Sequence, residues 1–217
     1  MVQSATPTAV RQELPVLVAI EDDATPLVRL IGRALRDSAR TGAAFDDLAR
    51  TSGVVGVRSH DTPQAATVTI AADLVEVASG LSVEPTTSVV VDLSSRFALI
   101  GEPEGDAALA AALLRALRPP LPHWRDAAAR FWEVTREIPG IPEVLVVEAT
   151  GPDGSGHARF GEGTTSYGIT GPADLLAGVF SGADDFLTSL AAGVQVQGTL
   201  SQLSVMTAAS WKVRFDV

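Results

Sequence analysis

The 217-residue chain contains no cysteine. Disulfides, thiolate metal sites and thiol nucleophiles are excluded together, and metal and redox chemistry lose most of their usual ligands. Histidine is scarce too: His60, His123 and His157 fall in a turn, a linker and a strand start. They lack the i, i+4 spacing of a helical metal site and read as exposed loop side chains, so neither a metal nor a cofactor is expected. No apolar run approaches the length that spans a bilayer, and residues 1–11 lack the basic-then-apolar layout of a signal peptide. A cytoplasmic location is the expectation. Positive charge is also short, with 16 Lys and Arg against 26 Asp and Glu for a net charge of −10 and no basic stripe. Nucleic acid and stable membrane association both start with electrostatics against them. One lysine and no asparagine beside abundant Ala, Val, Arg and Gly suggest a high-GC genome.

What is present is the material of an ordinary globular protein, 46% hydrophobic and 19% charged. The apolar run Val16 to Ile20 has the length of a strand. Thr25 and Pro26 then open an amphipathic helix whose apolar face carries Leu27, Leu30, Ile31, Ala34 and Leu35. Its other face carries Arg29, Arg33 and Arg36, expected to lie in solvent. After a short helical piece at Phe45 to Arg50, the segments Val54 to Arg58, Ala65 to Ala71, Leu74 to Ser79 and Ser88 to Leu93 read as an antiparallel meander. Asp106 begins an apolar helix that ends at Pro119 and Pro120.

A second series follows. Arg125 to Arg136 is helical, Val144 to Ala149 is a strand central in its sheet, and Gly151-Pro152-Asp153-Gly154 is a turn into His157 to Phe160 and Thr164 to Ile169. Pro172 opens a helix with Leu175, Leu176, Val179 and Phe180 on one face, stopped by Ser181 and Gly182. Asp184 and Asp185 open the next helix, with Phe186, Leu187 and Leu190, and serve its dipole. Val194 to Gln197 alternates as a strand, and Gly198 turns the chain into a short helix with Leu200, Leu203 and Met206. Trp211, Val213, Phe215 and Val217 alternate with charged residues and predict a terminal half-buried strand.

The run of helix, Ser-Gly, acidic helix ending in Gly, short strand, Gly-Thr-Leu and closing helix, preceded by a β-meander, resembles the second half of a sterol carrier protein 2 (SCP2) domain. Strand, Gly101 and apolar helix in the first half echo strand, Gly198 and helix in the second. Thr86-Thr87-Ser88 likewise matches Thr164-Thr165-Ser166. The fold expected is α+β, an antiparallel sheet covered by helices, as two SCP2-like units: a degenerate one over 1–118, a linker at 119–123 and a second at 124–217. The first lacks the helix pair of the second.

No catalytic constellation is present. Neither "GTLSQ" nor "VFSGA" has nucleophile-elbow spacing, the glycine-rich Gly151 to Gly163 joins two strands where a phosphate loop needs a helix N-terminus, and the paired carboxylates are adjacent and diverge. A non-enzymatic protein is expected. The resemblance implies a hydrophobic, lipid-like ligand, fatty acyl or sterol-like, in an apolar pocket of the second half. Leu175, Leu176, Val179 and Phe180 would line it with Phe186, Leu187 and Leu190, joined by Val196, Leu203, Met206 and Trp211. Such pockets enclose roughly 300–1,000 Å3. The same residues also suit a packing module without a cavity, whose partner would be the other unit, a second copy or another protein.

Overall fold

The computed structural model describes residues 17–42, 47–48, 50–71, 74–81, 84–151 and 154–216. Among the described residues the fold is α+β, with two sheets and six helices. Residues 18–117, joined by Phe215, and residues 121–213 supply two hydrophobic clusters.

The first half contains β1 (Leu17–Ile20), α1 (Pro26–Thr41), β2 (Gly53–Ser59), β3 (Ala65–Ile70), β4 (Leu74–Ser79), β5 (Thr87–Asp92), β6 (Ala98–Leu99), β7 (Glu104–Gly105) and α2 (Ala107–Ala116). Its strands run in the order β1-β4-β3-β2-β5-β6, with β7 also on β5. The sheet is mixed, a correction to the antiparallel expectation. The meander β2-β3-β4 is antiparallel, but β1 joins β4 in parallel, and β5 crosses back to lie parallel to β2. Alternation along a strand predicts which face is buried but not which neighbour a strand chooses. The predicted helix at Phe45 to Arg50 lies largely outside the described residues, with Asp47 and Leu48 helical.

The second half contains α3 (Trp124–Thr135), β8 (Val144–Gly151), β9 (Gly154–Phe160), β10 (Ser166–Pro172), α4 (Ala173–Ser181), α5 (Phe186–Ala191), β11 (Gln195–Gln197) and α6 (Leu200–Phe215). Its sheet runs β11-β10-β8-β9 and is also mixed, because β10 lies parallel to β8. The two sheets share a plan. In each, a hairpin (β2-β3, β8-β9) sets its first strand parallel to a later one (β5, β10), which pairs antiparallel with a short strand (β6, β11) before a closing helix. Threonine oxygens mark the same junction in both: Thr86 Oγ1 accepts from the Val54 N–H at 3.3 Å, and Thr165 Oγ1 from the Glu143 N–H at 3.1 Å.

Where the alternation predicts a strand from Trp211 to Val217, residues 211–215 are instead the last part of α6, which runs to Phe215 and is not short, and Val217 lies outside the described residues. A capping box nucleates it. Thr199 Oγ1 accepts from the Gln202 N–H, and Gln202 Oε1 accepts from the Thr199 N–H. With neither glycine nor proline from 200 to 215 the helix propagates. The alternation then reverses in meaning, since Met206, Ala209, Ser210 and Arg214 are buried and Trp211 is exposed.

Tyr167, the one tyrosine of the chain, is fully buried on β10, and its hydroxyl has no hydrogen-bond partner among the described residues. Burial pushes its pKa from 10.0 up to about 12. Ultraviolet titration of phenolate therefore reports this residue alone, with a midpoint near that raised value while the protein is folded. The unfolded chain releases the proton first, so stability falls as pH rises from about 10 through about 12. Tyr167→Phe should leave stability in urea unchanged or slightly higher. A loss above about 1 kcal/mol would mean that the hydroxyl is bonded.

Candidate functional site

A cavity of about 590 Å3 lies between the halves. One wall is α1, contributing Arg33, Asp37 and Arg40. The opposite wall is α3, contributing Asp126, Arg130, Phe131 and Val134. The chain from Leu117 to Pro122 runs along it, and Phe180, Ala183, Lys212 and Val213 close it from the second half. Its apolar floor is deep: Phe97, Leu117, Phe131 and Phe180 are all almost fully buried. The Phe131 and Phe180 rings pack at a centroid distance of 5.3 Å, tilted by 57°.

Phe97 reaches the cavity because the turn before it is held in an unfavourable backbone. Arg96 and Phe97 have φ of 50° and 59°, two consecutive non-glycine residues in the left-handed region. Each costs of order 1 kcal/mol or more and persists only if the surroundings fix it. Two sets of hydrogen bonds do so. Asp92 accepts from the N–H and hydroxyl of both Ser94 and Ser95, which draws its carboxyl down to about 2 from an ordinary 3.8. From the other side Arg118 donates to the Arg96 and Phe97 carbonyls at 3.1 and 2.6 Å.

The same turn aims Arg96 at Asp184, between α4 and α5, in a bidentate pair, and these bonds raise the Arg96 pKa. Asp185 is the N-cap of α5, accepting from the Thr188 N–H at 2.9 Å, so only one of the two carboxylates serves the helix dipole. Further clamps join the halves. Arg36 pairs with Asp216 at 2.8 Å. Arg214, only 6% exposed, donates to the carbonyls of Gly182 and Ala183 and, across the junction, to that of Leu93 at 3.2 Å. Burial, followed by the charge of Arg33, depresses its pKa to about 10. Gly182, at φ 76°, ends α4, and a Cβ there would lie 2.7 Å from the Arg214 Cα.

The arginine face of α1 is therefore not solvated, a correction to the sequence expectation. Arg29 and Arg36 are half-buried, and Arg33 is 7% exposed, because α6 and the end of α4 cover that face. Arg33 Nη1 donates to Asp37 at 2.8 Å and to the Ser181 carbonyl at 3.3 Å, while its Nε is buried without a partner among the described residues. Burial lowers its pKa.

Of the residues predicted to line a pocket, Phe180 lines this cavity. Leu176, Val179, Phe186 and Met206 are buried in the second core, with Leu175, Leu190, Val196 and Leu203 half-buried against it. Leu187 and Trp211 are exposed, at 46% and 47%. Sequence reasoning missed Arg33, Arg96, Arg118 and the proline wall, whose signals were the arginine spacing on α1 and the doubled proline at 119–120. His60, His123 and His157 are all exposed, as expected; His123 Nδ1 accepts from the Arg125 N–H and caps α3. No group of three metal-ligating side chains occurs among the described residues, and no helix there is long and apolar enough to cross a membrane. No family model, curated protein or solved structure matches the chain.

Gly178, buried in α4, has no room for a Cβ beneath the Asp184 carboxylate. Gly178→Ala should displace that carboxylate from Arg96 and cost about 1–3 kcal/mol in urea unfolding. In a double-mutant cycle with Arg96→Ala the losses should be strongly non-additive. Additive losses would show that Asp184 keeps its place.

Proposed function

We propose that the protein is a non-enzymatic binder or carrier of a hydrophobic, lipid-like ligand, built as two SCP2-like units, and that the ligand lies between them. The observation that carries this reading is the cavity of about 590 Å3 floored by Phe97, Leu117, Phe131 and Phe180. A space of that size and lining suits one lipid tail. The order of elements supports the family reading: α4, a left-handed Gly182, α5 capped by Asp185, the short β11 and a closing helix follow the strands β8 to β10. The packing of α6 on α1 favours a second reading, in which each unit serves as the other's partner.

Binding separates the two. Titration with saturated fatty acids should raise the melting temperature, adding about 2.7 kcal/mol at a hundred times the dissociation constant. Affinity should grow by about 0.8 kcal/mol for each methylene buried until the floor is filled. Phe180→Ala should weaken fatty acid binding, and because the ring is almost fully buried against Phe131 it should also cost the roughly 3–5 kcal/mol of a phenylalanine truncated in a core. If fatty acids, acyl-CoA and sterols shift nothing, the packing reading replaces the carrier.

A further inference from the structure

The lining of the cavity has the opposite charge to the rest of the protein. It carries six cationic side chains against three carboxylates, in a chain of net charge −10. Those carboxylates do not neutralise the excess. Asp37 is shared by Arg33 and Arg40, Asp216 is engaged by Arg36 from outside the lining, and Asp126 forms no ion pair among the described residues; Arg96 alone of the six cations is neutralised from outside, by Asp184. Arg118 spends its donors on two neutral carbonyls. Among the described residues Arg130 and Lys212 have no hydrogen-bond or ion-pair partner, although both lie at the cavity. Arg33, held by Asp37 and the Ser181 carbonyl, lines the same cavity, so α1, α3 and α6 each contribute a cation to it.

We infer that the ligand is an amphipathic anion, whose carboxylate or phosphate head is held by Arg33, Arg130 and Lys212 while its tail lies on Phe97, Phe131 and Phe180. The inference rests on the reading of this cavity as the binding site and adds the chemical class of the occupant. A neutral sterol or alcohol would cover the floor and leave the cations unmatched, whereas an anionic head would make charge-assisted hydrogen bonds in a partly dehydrated site. A polyanion is disfavoured by the acidic remainder of the surface, and a bare inorganic ion would leave the aromatic floor without a contact.

Calorimetric titration of the full chain with laurate, dodecyl phosphate, dodecanol and inorganic phosphate tests this, each lipid kept below its micelle concentration. Laurate, dodecyl phosphate or both should bind at least roughly tenfold more tightly than dodecanol, and added salt should erode that preference. Arg130→Gln and Lys212→Gln, both at exposed positions, should each reduce the preference severalfold. Arg159→Gln, exposed on β9 away from the cavity lining, makes the same change in net charge and should not. Equal affinity for laurate, dodecyl phosphate and dodecanol, unaffected by the charge variants, would overturn the anionic head and leave the carrier reading standing. Inorganic phosphate binding as tightly as dodecyl phosphate would overturn the role of the tail. If no lipid binds, the carrier reading falls and this inference with it.

Discussion

Burying a guanidinium is unfavourable unless carbonyls and carboxylates replace its lost water, and the junction between the halves buries two, Arg33 and Arg214. Their charges repel each other, so carbonyls of residues 93, 181, 182 and 183 and carboxylates near them must be brought to fixed places. That requirement reaches into both halves. It needs α6 to remain helical as far as Arg214, α4 to stop at Gly182 so that α6 can approach, and the strained turn after β5 to present the Leu93 carbonyl. An apolar junction could slide by an ångström with little loss. One made of directional bonds to buried cations has one arrangement.

The bonds join equivalent places in the two sheets. In the first half the connection from β5 to β6 is the tight turn that holds Arg96 and Phe97, and in the second the corresponding connection from β10 to β11 is α4 with α5. Arg96 to Asp184 and Arg214 to Leu93 both link one connection, or the helix packed on it, to the other. The helix pair is the main difference between the sheets and is also what the turn grips.

Much of this arrangement was legible in the sequence. Hydrophobic periodicity and punctuation by Gly, Pro and Asp located α1, the meander, the hairpin at Gly151 and the α4–α5 break, because those signals are local. Parallel pairing of β5 with β2 and of β10 with β8 was not legible, since no local pattern distinguishes a strand that pairs with its neighbour from one that crosses back. Trp211 to Asp216 satisfies a period of two and also a helical spacing through Met206, Ala209, Ser210 and Val213, and the capping box upstream decides between them. The site was the least legible. An arginine row facing water and one facing a second unit look identical in sequence, so Arg33 reads as ordinary surface.

The cavity persists for reasons that follow from its wall. Pro119, Pro120 and Pro122 have no N–H, so the connecting segment can face an apolar space without orphaning those donors, and their fixed φ makes it a stiff spacer. Its stiffness opposes the clamps, which draw α1 toward α6 and the turn at Arg96 toward α5. A soft linker would let the clamps collapse Phe97 and Leu117 onto Phe131 and Phe180 and recover the dispersion that an empty space forfeits. The stiff proline segment on one side and the clamps on the other thus fix the width of the space between the halves.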